Sequence, residues 1–299
     1  MSQKNQNSDS VIAEKISGID LLRKRRKKER NLSIAFFMYG AIFLMLGFPL
    51  AVAISWSLVN PEVGWFAPDL FPRSFSLYHW RYVIGSNQFL ERLIRSLLIA
   101  SSVAVLSAIV ALPTAWALAR FPFRLKRVVE LFVLSPMIVP GILVSVSLTE
   151  MFYRMGLHGR AIGVILVHTV GTLPLMIRIL TATLEGIPAD LFHAARTLGA
   201  KPLAVTRHIV LPLIVPGLIA GGLLSFVSSF EEVDKTLLIG GVKLETVAVM
   251  LFKELGDKYL VPTSGAVITL VLLTPALVIF FVAARLVKEN VMAAGMGKL

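Results

Sequence analysis

Histidine is the residue type in this 299-residue chain best suited to metal binding or proton transfer, and its five copies stand at 79, 158, 168, 193 and 208. No two form a His-Glu-x-x-His pair, the spacing that sets two imidazoles on one helix face around zinc. Cysteine is absent, which removes disulfide frameworks, cysteine-ligated zinc, iron–sulfur clusters and thiol nucleophiles together. No Gly-x-Ser-x-Gly elbow offers a serine nucleophile. The terminal Gly295-Met296-Gly297-Lys298-Leu299 lacks the earlier glycine and the Ser/Thr of a phosphate-binding loop. The chain reads as no enzyme.

What remains is recognition. Ser229-Phe230-Glu231-Glu232-Val233-Asp234-Lys235 sets three carboxylates after a long uncharged stretch. Carboxylates at the mouth of a helix attract a cationic amine. Ordinary solvated loop charges, with Lys235 balancing Asp234, fit the same residues. A second cluster, Glu185 to Pro212, predicts a short helix outside any apolar span. Pro188 suits a first helical position, and Asp190 favours the positive end of the helix dipole. Leu191, Ala194, Ala195 and Leu198 follow at i, i+3, i+4 and i+7, and Gly199 stops the helix. The paired alanines let another surface approach closely, so this face suits a partner's groove. An amphipathic helix lying on lipid fits it too.

The elements that position these clusters are membrane spans. The chain is 56% hydrophobic and only 16% charged, with mean hydropathy +0.77. Globular chains have about 45–50% apolar and about 25% charged residues. A bilayer core about 30 Å thick needs roughly 20 apolar helical residues. Six charge-free windows approach or exceed that length: 31–61, 96–119, 131–149, 161–177, 209–230 and 259–284. The fourth carries His168, which reads as an interhelical hydrogen-bonding group rather than a proton carrier. Gly217 and Gly221 give the fifth a small-xxx-small face for close packing. A helix over 246–260, ending near Gly256, follows the fifth and lies at the interface or docks a partner.

Loop charge orients the spans. With the N-terminus in the cytoplasm, segments 1–30, 120–130, 178–208 and 285–299 hold twenty Lys+Arg against eight Asp+Glu. Segments 62–95, 150–160 and 231–258 hold ten of each. The whole +12 then lies on one side, as the positive-inside bias requires, with both termini cytoplasmic. The basic run 23–30 serves as an anchor at anionic lipid, not as a nucleic-acid arm. It is no cleaved signal, because the apolar stretch begins late and is too long. Three pieces follow: a basic segment 1–30, a six-helix domain 31–285 with a loop at 178–208, and a tail 286–299. A secondary carrier or channel is disfavoured, because such proteins keep charges inside their spans.

The loop motif carries a resemblance. Ala194-Ala195, then Gly199, Ile209 and Leu211-Pro212 resemble the "EAA" loop of ABC-importer permeases, Glu-Ala-Ala-x3-Gly-x9-Ile-x-Leu-Pro. His193 stands where that motif has Glu. Phe75-Ser-Leu-Tyr-His-Trp80, the 115–124 turn and Ser135-Pro-Met-Ile-Val-Pro-Gly141 resemble further parts of these permeases. The spermidine/putrescine branch is the most similar, with Ser229-Phe230-Glu231-Glu232 in place of its Ser-Phe-Asp-Glu. Asp234 and Lys235 depart from that branch, which has apolar residues there.

The resemblance implies an all-α polytopic protein of the type I ABC-importer permease fold in a bacterial inner membrane. The implied partners are two cytoplasmic ATP-binding subunits, a second and unlike permease, an external solute-binding protein and membrane lipid. ATP and Mg belong to the ATPase, and this chain needs no cofactor. The implied coupling residues are Leu191, His193, Ala194, Ala195, Leu198, Gly199, Ala200, Ile209, Leu211 and Pro212. The implied substrate path is Ser229, Phe230, Glu231, Glu232 and Asp234, for a polyamine. An aminophosphonate, an amino-acid derivative or a metal complex is the alternative solute.

Overall fold

A computed structural model describes residues 34–66, 69–257 and 263–296. The basic run 23–30 and the last three residues lie outside them, as do 258–262 at the start of the expected sixth span. The chain divides into two compact units, 1–55 and 56–299. Within the first lies most of α1, Ile34–Ser57, a helix with exposed aromatic and aliphatic side chains such as Phe36, Phe43 and Leu46.

In the second unit the helices are α2 Tyr78–Ile84, α3 Asn87–Arg120, α4 Lys126–Ile138, α5 Gly141–Arg154 and α6 Ala161–Glu185. They continue with α7 Ala189–Thr197, α8 Pro202–Val205, α9 Leu211–Phe230, α10 Val247–Asp257 and α11 Thr263–Met296. α8 runs into α9 through a single π turn, Thr206–Val210, so that 202–230 is one helical rod. Pro212 has no amide to give the carbonyl one turn earlier, which favours such a local rewinding.

Among the described residues, four helices are long and apolar enough to cross a membrane, or five if the bent α4–α5 pair is one span. The third window is broken, with a bend of 95° between α4 and α5 at the proline-rich stretch that resembles the broken third segment of these permeases. The cause is local. Val139 precedes a proline and is extended, and Pro140 caps α5 with no amide to continue α4. The sixth window gives α11, whose described apolar part is Thr263–Ile279.

The core lies where α3, α6 and α9 pack on one another. Ala111, Ala115, Met176, Leu180, Leu184 and Ile214 are buried there. Gly217 and Gly221 make the contact between α9 and α6: a Cβ on the first would collide with the Thr183 side chain, on the second with the Met176 sulfur. Two polar residues inside the bundle satisfy each other across helices. Ser107 and Thr172 hydroxyls bond at 2.7 Å between α3 and α6, as interior polar groups must in a solvent that offers no partners.

Candidate functional site

At one end of the bundle α7 carries the loop motif. Pro188 is its N-cap, one position earlier than expected, and Asp190 stands in the first turn. The helix closes with a Schellman turn: the Ala200 N–H donates to the Ala195 carbonyl and the Gly199 N–H to that of Arg196, both at 2.9 Å. Gly199 is left-handed at φ +76°, which explains the glycine.

The helix presents a different face from the one its periodicity suggests. Ala195 is buried against the chain, whereas Leu191, Ala194 and Leu198 are exposed, with Leu198 at 87%. Phe192 sets this rotation. It packs on the core, meets Trp116 edge-on at 6.3 Å, and lies under the Arg120 guanidinium at 4.4 Å. Arg120 also donates to the Leu184 and Ile187 carbonyls at 2.6 and 3.1 Å, tying the start of the loop to the end of α3. Phe192, Trp116 and Arg120 therefore position the loop helix; the last two lie in the 115–124 turn, but the motif did not assign them this role. Their signal was an aromatic one helical turn before Ala195, on the same face. His193 is exposed beside the outward face, and Ala200 is half-buried. Ile209, Leu211 and Pro212 belong to the following rod, where Val210 is the buried neighbour.

Far from α7, residues 229–244 fold against α5 and α6. His168 on α6 is the hub. Its Nδ1 bonds to Ser229 Oγ at 2.8 Å and its Nε2 to Thr236 Oγ1 at 3.0 Å, all three residues being buried. The expected interhelical hydrogen-bonding role is what the geometry provides. His168 is seven residues from the Ala161 end of α6, about 10 Å along the axis. The carboxylate stretch therefore begins alongside α6, short of its Ala161 end.

The stretch sorts its charges. Glu231 and Asp234 are exposed, whereas Glu232 is half-buried and ion-paired with Lys235. Phe230 stacks on Phe226 at 5.7 Å and is buried. Lys235 lies between two glycines, Gly141 of α5 and Gly171 of α6, each of whose missing Cβ would fall 3.3–3.4 Å from its terminal atoms.

Further along, Glu245 accepts hydrogen bonds from Arg92 and Lys253 and closes the connection between α3 and α10. Burial would raise its carboxyl, but the two hydrogen bonds and the two positive charges outweigh that and hold it below the ordinary range. The Ser96 hydroxyl accepts from the Val247 N–H at 2.9 Å in the same joint. Among the described residues no group of His, Asp and Glu is arranged to hold a metal ion.

Residues 107–290 match the family described as binding-protein-dependent transport system inner membrane component. The chain is 29% identical over 221 residues to the spermidine/putrescine transport system permease protein PotC of Haemophilus influenzae, covering 73% of this chain and 84% of that one. It is 29% identical over 206 residues to the molybdenum transport system permease protein ModB of Mycobacterium tuberculosis, covering 64% and 78%. Its fold resembles a chain of a bacterial ABC transporter involved in the import of the acidic polysaccharide alginate, with TM-score 0.67, 18% identity, and 84% and 94% of the two chains covered. It also resembles a chain of the MetNI methionine ABC transporter in an inward-facing conformation, with TM-score 0.53, 22% identity, and 68% and 98% covered.

Proposed function

This chain belongs to the family of binding-protein-dependent transport system inner membrane components, and from that premise we propose that it is one half of the membrane conduit of an ATP-driven importer, moved by a motor that seats on α7. The reading places six spans in an inner membrane, both termini and α7 on the cytoplasmic side, and pairs the chain with a second permease, two ATPase subunits and an external binding protein. Closure of the ATPase pair around ATP draws the two seated helices together and rocks the bundles between inward- and outward-facing states. Such a shift requires only that the ATPase contact the two states differently.

One observation carries this reading: α7 is fixed to the bundle through Phe192 and Arg120 while it turns Leu191, Ala194 and Leu198 outward. A rigidly mounted apolar face is what a partner's groove takes up. Charge placed there disrupts the seat without disturbing the core. With Leu198→Glu or Ala194→Glu, the chain is expected to insert and fold normally, while co-purification of the ATPase falls by about tenfold or more, since a desolvated charge at an interface costs at least a few kcal/mol. Undiminished ATPase recovery with both variants would remove α7 as the seat.

For the solute, the proposed path runs by Ser229, Phe230, Glu231, Glu232 and Asp234. Its exposed carboxylates favour an amine-bearing small molecule, and likeness to PotC makes a spermidine- or putrescine-type polyamine the first candidate. Likeness to a molybdenum-system permease at the same identity supports a second reading, another small solute such as an aminophosphonate, an amino-acid derivative or a metal complex. In reconstituted importer, Glu231→Gln combined with Asp234→Asn is expected to slow uptake of an amine solute severalfold. Unchanged uptake would leave these carboxylates as loop charges.

A further inference from the structure

The break between α4 and α5 opens a cavity of about 310 Å³, at the lower end of the range for small-molecule sites, about 300–1,000 Å³. Ile138, Pro140, Gly141, Val144 and Gly171 are among the residues that line it, all apolar or glycine. Among its described lining residues one is ionisable, Lys235. The ammonium reaches this space because two helices carry glycine where a side chain would obstruct it, Gly141 and Gly171. One of its three donors goes to Glu232, which is not part of the cavity wall.

A second cavity, of about 530 Å³, lies farther along the same segment and is lined by His158, Arg160 and Lys243 together with Gly156, Gly159 and Gly241. No carboxylate is among its described lining residues. The segment joining the two cavities runs along α6. Lys235 lies against Gly171 and Ile239 against Gly163, eight residues or about 12 Å nearer the Ala161 end. The Gly159 N–H donates to the Ile239 carbonyl at 2.8 Å and fixes that end. Side chains of one sign thus line both cavities, from the Ala161 end of the bundle to the helix break.

We propose that the cavity at the α4–α5 break is a solute subsite in which Lys235 receives an anionic oxygen group, a carboxylate or phosphoryl-type oxyanion. This rests on the reading of the chain as a solute conduit. Joined to the amine reading of Glu231 and Asp234, it favours the second of the two solute readings, a small zwitterion carrying an acid and an amine, over the polyamine. A polycation placed in the cavity meets the Lys235 ammonium, whose counter-ion Glu232 lies outside the cavity wall, and finds no carboxylate in the described wall to pair with.

The absence of cysteine allows a direct test in the assembled importer. Val144→Cys places one thiol in the cavity wall, and its modification by methanethiosulfonate reagents bearing a sulfonate or a trimethylammonium group is followed by the mass of this chain. The reagents differ by two unit charges, so each kT of local potential changes their rate ratio by about sevenfold. Adding Lys235→Met should shift the ratio toward the cationic reagent by about fivefold or more. Glu232→Gln, which frees Lys235 of its counter-ion, should shift it the opposite way, and Lys235→Arg should leave it near the starting value. Protection by three four-carbon probes then reads the chemistry: γ-aminobutyrate should slow modification and putrescine should not. Protection by succinate but not γ-aminobutyrate would keep the anionic subsite and remove the amine reading. Protection by putrescine alone, or a ratio indifferent to Lys235 and Glu232, would overturn the subsite and leave the conduit standing. A thiol that neither reagent reaches, with or without ATP, would overturn the subsite and remove this cavity from the path.

Discussion

Arg120 and Glu245 each put a charge to structural use, at opposite ends of the bundle. Arg120 serves carbonyls at the end of α6 and in the turn that follows it. Hydrogen bonds from a charged donor contribute about 1.5–3 kcal/mol. Arg120→Ala is therefore expected to loosen residues 186–200, read as faster amide exchange there with little change in the α3–α6–α9 core; unchanged exchange would deny Arg120 this role. Glu245 gives a pH dependence. Its native carboxyl ionises below the unfolded value of about 4.3, so its stabilisation is complete above that value and disappears as acid passes through the lower native one. Detergent-solubilised chain should lose thermal stability on acidification below about pH 4, and Glu245→Gln should flatten that limb. An identical acid limb in the variant would exclude Glu245 as its source. His168, by contrast, shows how little of such a network a sequence exposes. Its partners lie 61 and 68 residues away, and a lone polar residue in an apolar window says only that it must bond to something.

Helices and turns were the more legible level. Gly199 announced the end of α7 because only a left-handed residue closes a Schellman turn cheaply, and the Pro140-Gly141 pair marked the place where α4 gives way to α5. The rotation of α7 was not legible. Periodicity groups Ala195 with Leu191, Ala194 and Leu198, but Phe192 has the larger apolar area and a prepared seat between Trp116 and Arg120, so its face wins and takes Ala195 inward. Substitutions should therefore divide by face. Gly199→Val puts a β-branched residue at φ +76° and should cost about 1–2 kcal/mol through the turn itself. At the other interface, Gly217→Leu would push α9 from Thr183 of α6 and should cost about 1–3 kcal/mol of stability in a detergent melt. A wild-type melting temperature for Gly217→Leu would mean that the two helices do not rely on that close approach.

At the scale of the molecule, mean hydropathy, four long apolar helices and the family match agree on an inner-membrane permease. The charge asymmetry of the loops supplies the proposed orientation, and α7 the proposed contact through which force enters. In the proposed mechanism the chain is a path, and the motor is left to a separate ATPase. The most direct measurement is solute accumulation in proteoliposomes, with γ-aminobutyrate and putrescine as labelled probes, comparing the full importer, the importer with Leu198→Glu, and this chain by itself. The account predicts accumulation that requires ATP and the ATPase subunits, falls about tenfold or more with Leu198→Glu, and is absent for the chain alone. Accumulation against a gradient by the isolated chain, without nucleotide, would contradict it.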